Sequence, residues 1–109
     1  RLIYRPDLLR QGDLLHLRTF TGSHCQTPIT NGRGQLDGDF VTWRDSFCRP
    51  LLASWLKGAR RGRELWAVVE LGPPGSGYAL ECFPDVWQDA CVAREEIARI
   101  WASLLRKYK

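Results

Sequence analysis

The sequence predicts an α+β fold: a largely antiparallel sheet of about four strands, ordered roughly ββαββα, with two helices packed on one face. Three stretches carry that expectation. Glu64–Leu71 reads ELWAVVEL, an apolar run followed by the turn-rich Gly72-Pro-Pro-Gly-Ser-Gly77 and then by Tyr78–Phe83, the pattern of a β-hairpin. Phe47, Leu51 and Trp55 recur four apart, with Cys48, Leu52 and Leu56 beside them, giving a wide helical stripe. From about Asp85 to Tyr108 the chain then reads as one long amphipathic helix.

The elements follow in order. Arg1–Tyr4 fits a short strand, and Asp7–Gln11 a single helical turn stopped by Gly12. Leu14–Thr21 alternates as a strand does, with Leu15, Leu17, Thr19 and Thr21 on one side. Gly22–Gly38 is rich in Gly, Thr, Asn, Ser and Pro and forms the longest loop, the kind that is usually functional or disordered. A strand over Asp39–Trp43 follows. Ser46 is placed to cap a helix over Phe47–Lys57, whose first turn tolerates Pro50 and which ends at Gly58. Trp66, Val68 and Val69 make the next strand apolar on both faces, which suits a central position.

Pro84 ends the hairpin, and Asp85 with Gln88 begins the last helix as a capping-box-like pair. Val86, Ala90, Ala93, Ile97, Ile100, Leu104 and Tyr108 step by three or four along it. At 1.5 Å per residue the helix is roughly 36 Å long, comparable with the width of a domain this size. A second row, Trp87, Cys91, Ala98, Trp101 and Leu105, adjoins the first, so the apolar arc is broader than one sheet face covers.

The 109 residues, 44% hydrophobic and 26% charged, suffice for one packed domain, residues 1–109. Without a methionine the chain is expected to be a domain cut from a larger protein. No run is long and apolar enough for a membrane span. The four cysteines, Cys25, Cys48, Cys82 and Cys91, allow two disulfides in three connectivities, as in a secreted chain. The reading adopted is free, mostly buried thiols in a reducing, intracellular setting, cytoplasmic or nuclear, because the core looks self-sufficient. With no Cys-x-x-Cys pair, a zinc site is not expected, and nothing points to a cofactor.

Chemistry-bearing residues are scattered. His24 and Cys25 are neighbours and point to opposite sides of an extended chain, so they do not make a catalytic dyad with each other; His16 with Cys25 is sterically feasible. Asp37, Asp39, Asp45, Glu70 and Glu81 form no ligand pattern, and Asp37-Gly38-Asp39 reads as a turn. No catalytic set emerges.

Two groups remain as binding candidates. Trp87, Trp101, Leu105 and Tyr108 on the terminal helix would meet a partner protein or a second copy of the chain. Lys57, Arg60, Arg61 and Arg63 in the linker, with Arg33 between two glycines in the long loop, would meet a polyanion. The expectation is a non-catalytic protein-interaction domain of an adaptor or scaffold kind. The alternative, a nucleic-acid-binding domain acting through shape and charge, fits a net charge of +4 and requires the basic residues to share one face.

Overall fold

The computed structural model describes residues 5–60, 62–72 and 85–108. Its elements are α1 (Pro6–Leu9), β1 (Leu14–Leu17), α2 (Gly38–Trp43), a π-helical turn (Arg44–Cys48), α3 (Arg49–Gly58), β2 (Trp66–Val69) and α4 (Val86–Tyr108). The expected strands at 1–4 and 78–83 and the turn at 73–77 lie outside the described residues, as do Arg61, Glu81 and Cys82.

The expected largely antiparallel, four-stranded sheet is not what forms. The described sheet has two strands, β1 and β2, and they run parallel in the register Leu14↔Trp66, Leu15↔Ala67, His16↔Val68, Leu17↔Val69. A parallel pair needs a long crossover, and here that crossover carries the loop and the α2–α3 helical run. The strand expected over Leu14–Thr21 stops at Leu17. Beyond it the chain turns on side-chain bonds: Thr19 Oγ1 donates to Thr27 O at 2.7 Å, and Ser23 N and His24 N donate to Thr21 Oγ1.

Asp39–Trp43, expected as a strand, is helical. Asp37 is the N-cap; its Oδ1 accepts from Asp39 N at 2.9 Å, so the Asp-Gly-Asp segment starts a helix rather than a turn. Phe40 and Trp43, three apart, both reach the core and stack with ring centroids 5.9 Å apart. Helix then continues to Gly58, so Ser46 is not a cap; its hydroxyl donates to Thr42 O at 2.5 Å inside the run. The π turn has a local cause. Pro50 has no N–H to give Ser46 O and its ring crowds that carbonyl. One extra residue just upstream relieves the clash, and Arg49 N bonds Arg44 O, five positions back. The insertion also re-phases the stripe, bringing Trp43, Cys48, Leu51, Leu52 and Trp55 to one buried face.

Helix α4 matches its expectation almost residue for residue. Asp85 Oδ1 accepts from Gln88 N at 3.0 Å, and Ala93, Ile97, Ile100 and Leu104 are buried. The molecule measures 42 × 24 × 20 Å, so its long dimension accommodates the whole helix. Trp55 and Trp101 meet where α3 packs on α4, with centroids 5.9 Å apart. Arg44 reaches across from the π turn to Glu96 at 3.4 Å while holding Asp45 at 2.9 Å. The hydrogen bond from Arg44 keeps the Asp45 carboxyl below its usual range, although burial pushes the other way.

The long loop is part of the core. Ile29, Gln26 and Thr27 are buried. Gln26 clamps the Gly72 backbone at both ends: Nε2 donates to Gly72 O at 3.0 Å, and Gly72 N donates to Oε1 at 2.6 Å. Asp89, a buried carboxylate in the first turns of α4, accepts from Ile29 N, Thr30 N and Thr30 Oγ1 at 2.9, 3.3 and 2.7 Å. These clamps replace the regular ladder a loop lacks, satisfying backbone groups that burial would otherwise orphan.

Cys25, Cys48 and Cys91 are free thiols. Burial pushes the Cys48 thiol up to about 12, with Arg49 pulling weakly the other way. The thiolate is the reactive species. Mass-spectrometric counting of alkylated cysteines in the native chain should therefore find Cys25 modified and Cys48 intact until urea unfolds the domain. Native labelling of Cys48 as fast as Cys25 would contradict this burial.

Candidate interaction surfaces

Three concave or apolar regions stand out among the described residues. The first is the outer face of the β1–β2 pair. Strand alternation and the parallel register set Leu14 and His16 beside Trp66 and Val68 on one face, and Leu15, Leu17, Ala67 and Val69 on the other. The inner face looks toward α3 and α4. The outer face is open: Leu14 is 53% exposed, Trp66 66% and Val68 43%. Trp66 and Val68 were expected to be central and covered; in the structure they are not. A polar margin closes one end of this face, where Glu70 accepts from Arg18 at 3.1 Å and lies 3.3 Å from His16 Nδ1.

The second region is a cleft of about 620 Å³ lined by His16, Arg18, Phe20, His24, Cys25 and Phe47, among others. It brings both histidines to one cleft with Cys25, which the sequence left undetermined. Phe20 and Phe47 form its aromatic wall, edge to face with centroids 5.0 Å apart. No hydrogen bond among the described residues joins Cys25 to either imidazole, and His16 is turned toward Glu70. The described residues contain no group of three or more potential metal ligands.

The third region is a groove of about 500 Å³ where the ends of α3 and α4 meet the linker. It merges the two candidate groups of the sequence. Trp101, Leu105 and Tyr108 come from α4, and Arg60 and Arg63 from the linker, with Trp55 at the base. A bond from Arg63 N to Arg60 O closes a turn, and Gly62 takes the left-handed φ of 84° that the turn requires. Arg63 is thereby thrown back onto the α1–β1 connection. Its Nε donates to Asp13 at 2.8 Å, Nη2 to Gly12 O at 3.2 Å, and Nη1 to Arg10 O, with the guanidinium 5.4 Å over the Trp55 ring. Lys57 Nζ lies 5.1 Å and Lys107 Nζ 5.4 Å from the Tyr108 ring centroid. For the Tyr108 phenol, burial raises the pKa, but the Lys57 and Lys107 ammonium groups outweigh it and bring it below its ordinary value.

The remaining candidates sit elsewhere. Trp87 is 78% exposed at the start of α4, and Arg33 lies in the loop whose Gly32 and Gly34 border that same helix end. Arg33 and the linker cations therefore stand at opposite ends of α4, roughly 25 Å apart by helix rise. They share no face. Trp101 is half-covered by Trp55 and so is less available than the sequence alone implies. Neither Asp89 nor the open sheet face is marked by a local signal in the sequence. The alternation Leu14, His16 and Trp66, Val68 was visible, but a strand's own pattern does not say which of its faces is left bare.

No protein-family model matches the chain, and neither a curated protein nor a solved structure does.

Proposed function

We propose that this chain is a non-catalytic interaction module that receives another protein chain on the open face of the β1–β2 pair. The observation that carries it is the exposure of Leu14, Trp66 and Val68 on one side of a parallel sheet. Parallel strands occur almost always with both faces covered. Water on an aromatic and two aliphatic side chains in a row costs free energy that a docked surface recovers, at roughly 25 cal/mol per Å² of apolar area. Trp at the centre of such a patch is also the residue most enriched in binding hot spots. A reducing compartment suits three free thiols, one of them exposed. No described helix is long and apolar enough to cross a membrane. The nucleic-acid alternative gains no comparable support, since Arg33 and the linker cations lie near opposite ends of α4.

The test is site-specific photo-crosslinking in cells that express the chain. A photoreactive phenylalanine analogue at Trp66 should yield discrete adducts, and the same group at exposed Glu95 should not. Adding Val68→Lys should remove them. Because Val68 is exposed, Val68→Lys should change unfolding free energy by no more than about 0.5 kcal/mol. Loss of adducts then reports the interface and not the fold. Equal cross-linking from Trp66 and Glu95, or none from Trp66, would rule the reading out.

A further inference from the structure

We propose that the groove between the ends of α3 and α4 docks an acidic segment of a partner protein, holding its carboxylates at Arg60 and Lys57 and an aliphatic side chain against Leu56 and Leu105. This goes beyond the sheet-face reading, uses different residues, and can fail or stand without it.

Charge complementarity is the first support. Among the described residues, every ionisable side chain lining the groove is a cation or Tyr108, and none is a carboxylate. Arg60 is exposed and nothing among the described residues pairs with it, so its guanidinium is available for a bidentate carboxylate contact. Lys57 and Lys107 bracket Tyr108 closely enough to lower its phenol against the opposing effect of burial, so the groove mouth carries a positive potential. Asp13 neutralises Arg63 alone, and Arg63 serves as a fixed wall.

The apolar floor supplies the second requirement. Leu56, Ala59, Trp101 and Leu105 line it, and a volume of about 500 Å³ admits one or two side chains with their backbone. Arg63, locked by Asp13 and two carbonyls, holds the linker wall in place before any ligand arrives, which lowers the ordering cost of binding.

A nucleic acid fits less well. Sequence-tolerant binding of single strands depends on aromatic faces open to bases. Trp55 is buried under Arg63 and against Trp101, and the ammonium groups of Lys57 and Lys107 already occupy positions over Tyr108. Phosphate tracking also needs cations in a line, and Arg33 lies at the far end of α4.

Fluorescence anisotropy with the 109-residue chain tests this directly, using a labelled peptide with one Leu flanked by Glu on both sides. Controls replace each Glu with Gln, or the Leu with Ser, and a labelled single-stranded oligothymidylate tests the nucleic-acid case. The Glu–Leu peptide should bind more tightly than either control and weaken with salt. Arg60→Glu should keep the wild-type urea midpoint, since Arg60 is exposed, and should weaken binding roughly tenfold. Amide and indole resonances of Gly62 and Trp101 should shift on titration. Absence of binding up to about 1 mM, equal affinity for the Gln peptide, or indifference to Arg60→Glu would overturn the proposal. Tighter binding of the oligothymidylate would overturn it in favour of a nucleic acid.

Discussion

Asp89→Ala is expected to cost about 3 to 4 kcal/mol of unfolding free energy, a large share of what a domain this size possesses. The carboxylate is only 3% exposed, and it is the acceptor for Ile29 N, Thr30 N and the Thr30 hydroxyl. All three donors are neutral, so no buried cation is stranded by the change. What is lost is charge-assisted bonding, and the backbone N–H groups of Ile29 and Thr30 are left without their acceptor. The carboxylate also sits near the positive end of α4, whose partial charge favours an anion there. Asp89→Asn keeps the shape and one acceptor oxygen, and its amide can donate to Thr30 Oγ1. It should lose about half as much. Urea or thermal unfolding checks both, and the alanine variant should melt roughly 15 to 25 °C lower. If alanine cost under 1 kcal/mol, the clamp would not be what orders the long loop.

The second large effect separates two buried tryptophans. Trp55 is 1% exposed, and its Nε1 donates to Gly12 O at 2.8 Å. Trp55→Ala should cost about 4 kcal/mol, through the cavity and the lost contacts with Trp101 and Arg63. Trp43 is equally buried, yet its Nε1 has no acceptor among the described residues. Replacing each with Phe therefore discriminates. At Trp55 the ring shrinks and a good hydrogen bond disappears; at Trp43 the shrinkage is offset by removing a donor that was desolvated without return. Trp43→Phe is expected to be the milder change by about 1 kcal/mol. Equal losses in matched urea titrations would mean that the Trp43 indole has found a partner after all.

Much of the helical architecture is legible in the residues themselves. Asp85, Gln88 and the Ala93–Leu104 stripe locate α4 because capping and a 3.6-residue period are local properties. The Phe47–Leu56 stripe likewise marks a core helix, although its start lies further upstream than Ser46. Asp39–Trp43 shows where local reasoning fails. Phe, Val, Thr and Trp favour strands, but five residues are too few for periodicity to decide, and the Asp37 cap together with burial of Phe40 beside Trp43 outweighs that preference.

Of the candidate surfaces, the sequence supplied the parts of the groove but not their union. Trp101, Leu105 and Tyr108 were legible as a row on one helix, and Lys57, Arg60 and Arg63 as a basic linker. Only the turn at Gly62 and the anchoring of Arg63 to Asp13 bring the rows together. Asp89 was hidden for the same kind of reason: its partner, Ile29 N, lies sixty positions upstream, and nothing near Asp89 in the chain signals it.

The sequence by itself therefore determined the terminal helix, the core face of α3 and the cationic linker, since each depends on side chains a few residues apart. The tertiary structure alone decided that Leu14–Leu17 and Trp66–Val69 pair in parallel and that their outer face stays bare. Pairing direction and face coverage arise between segments about fifty residues apart, and the free energy that selects them is a property of the assembled layers.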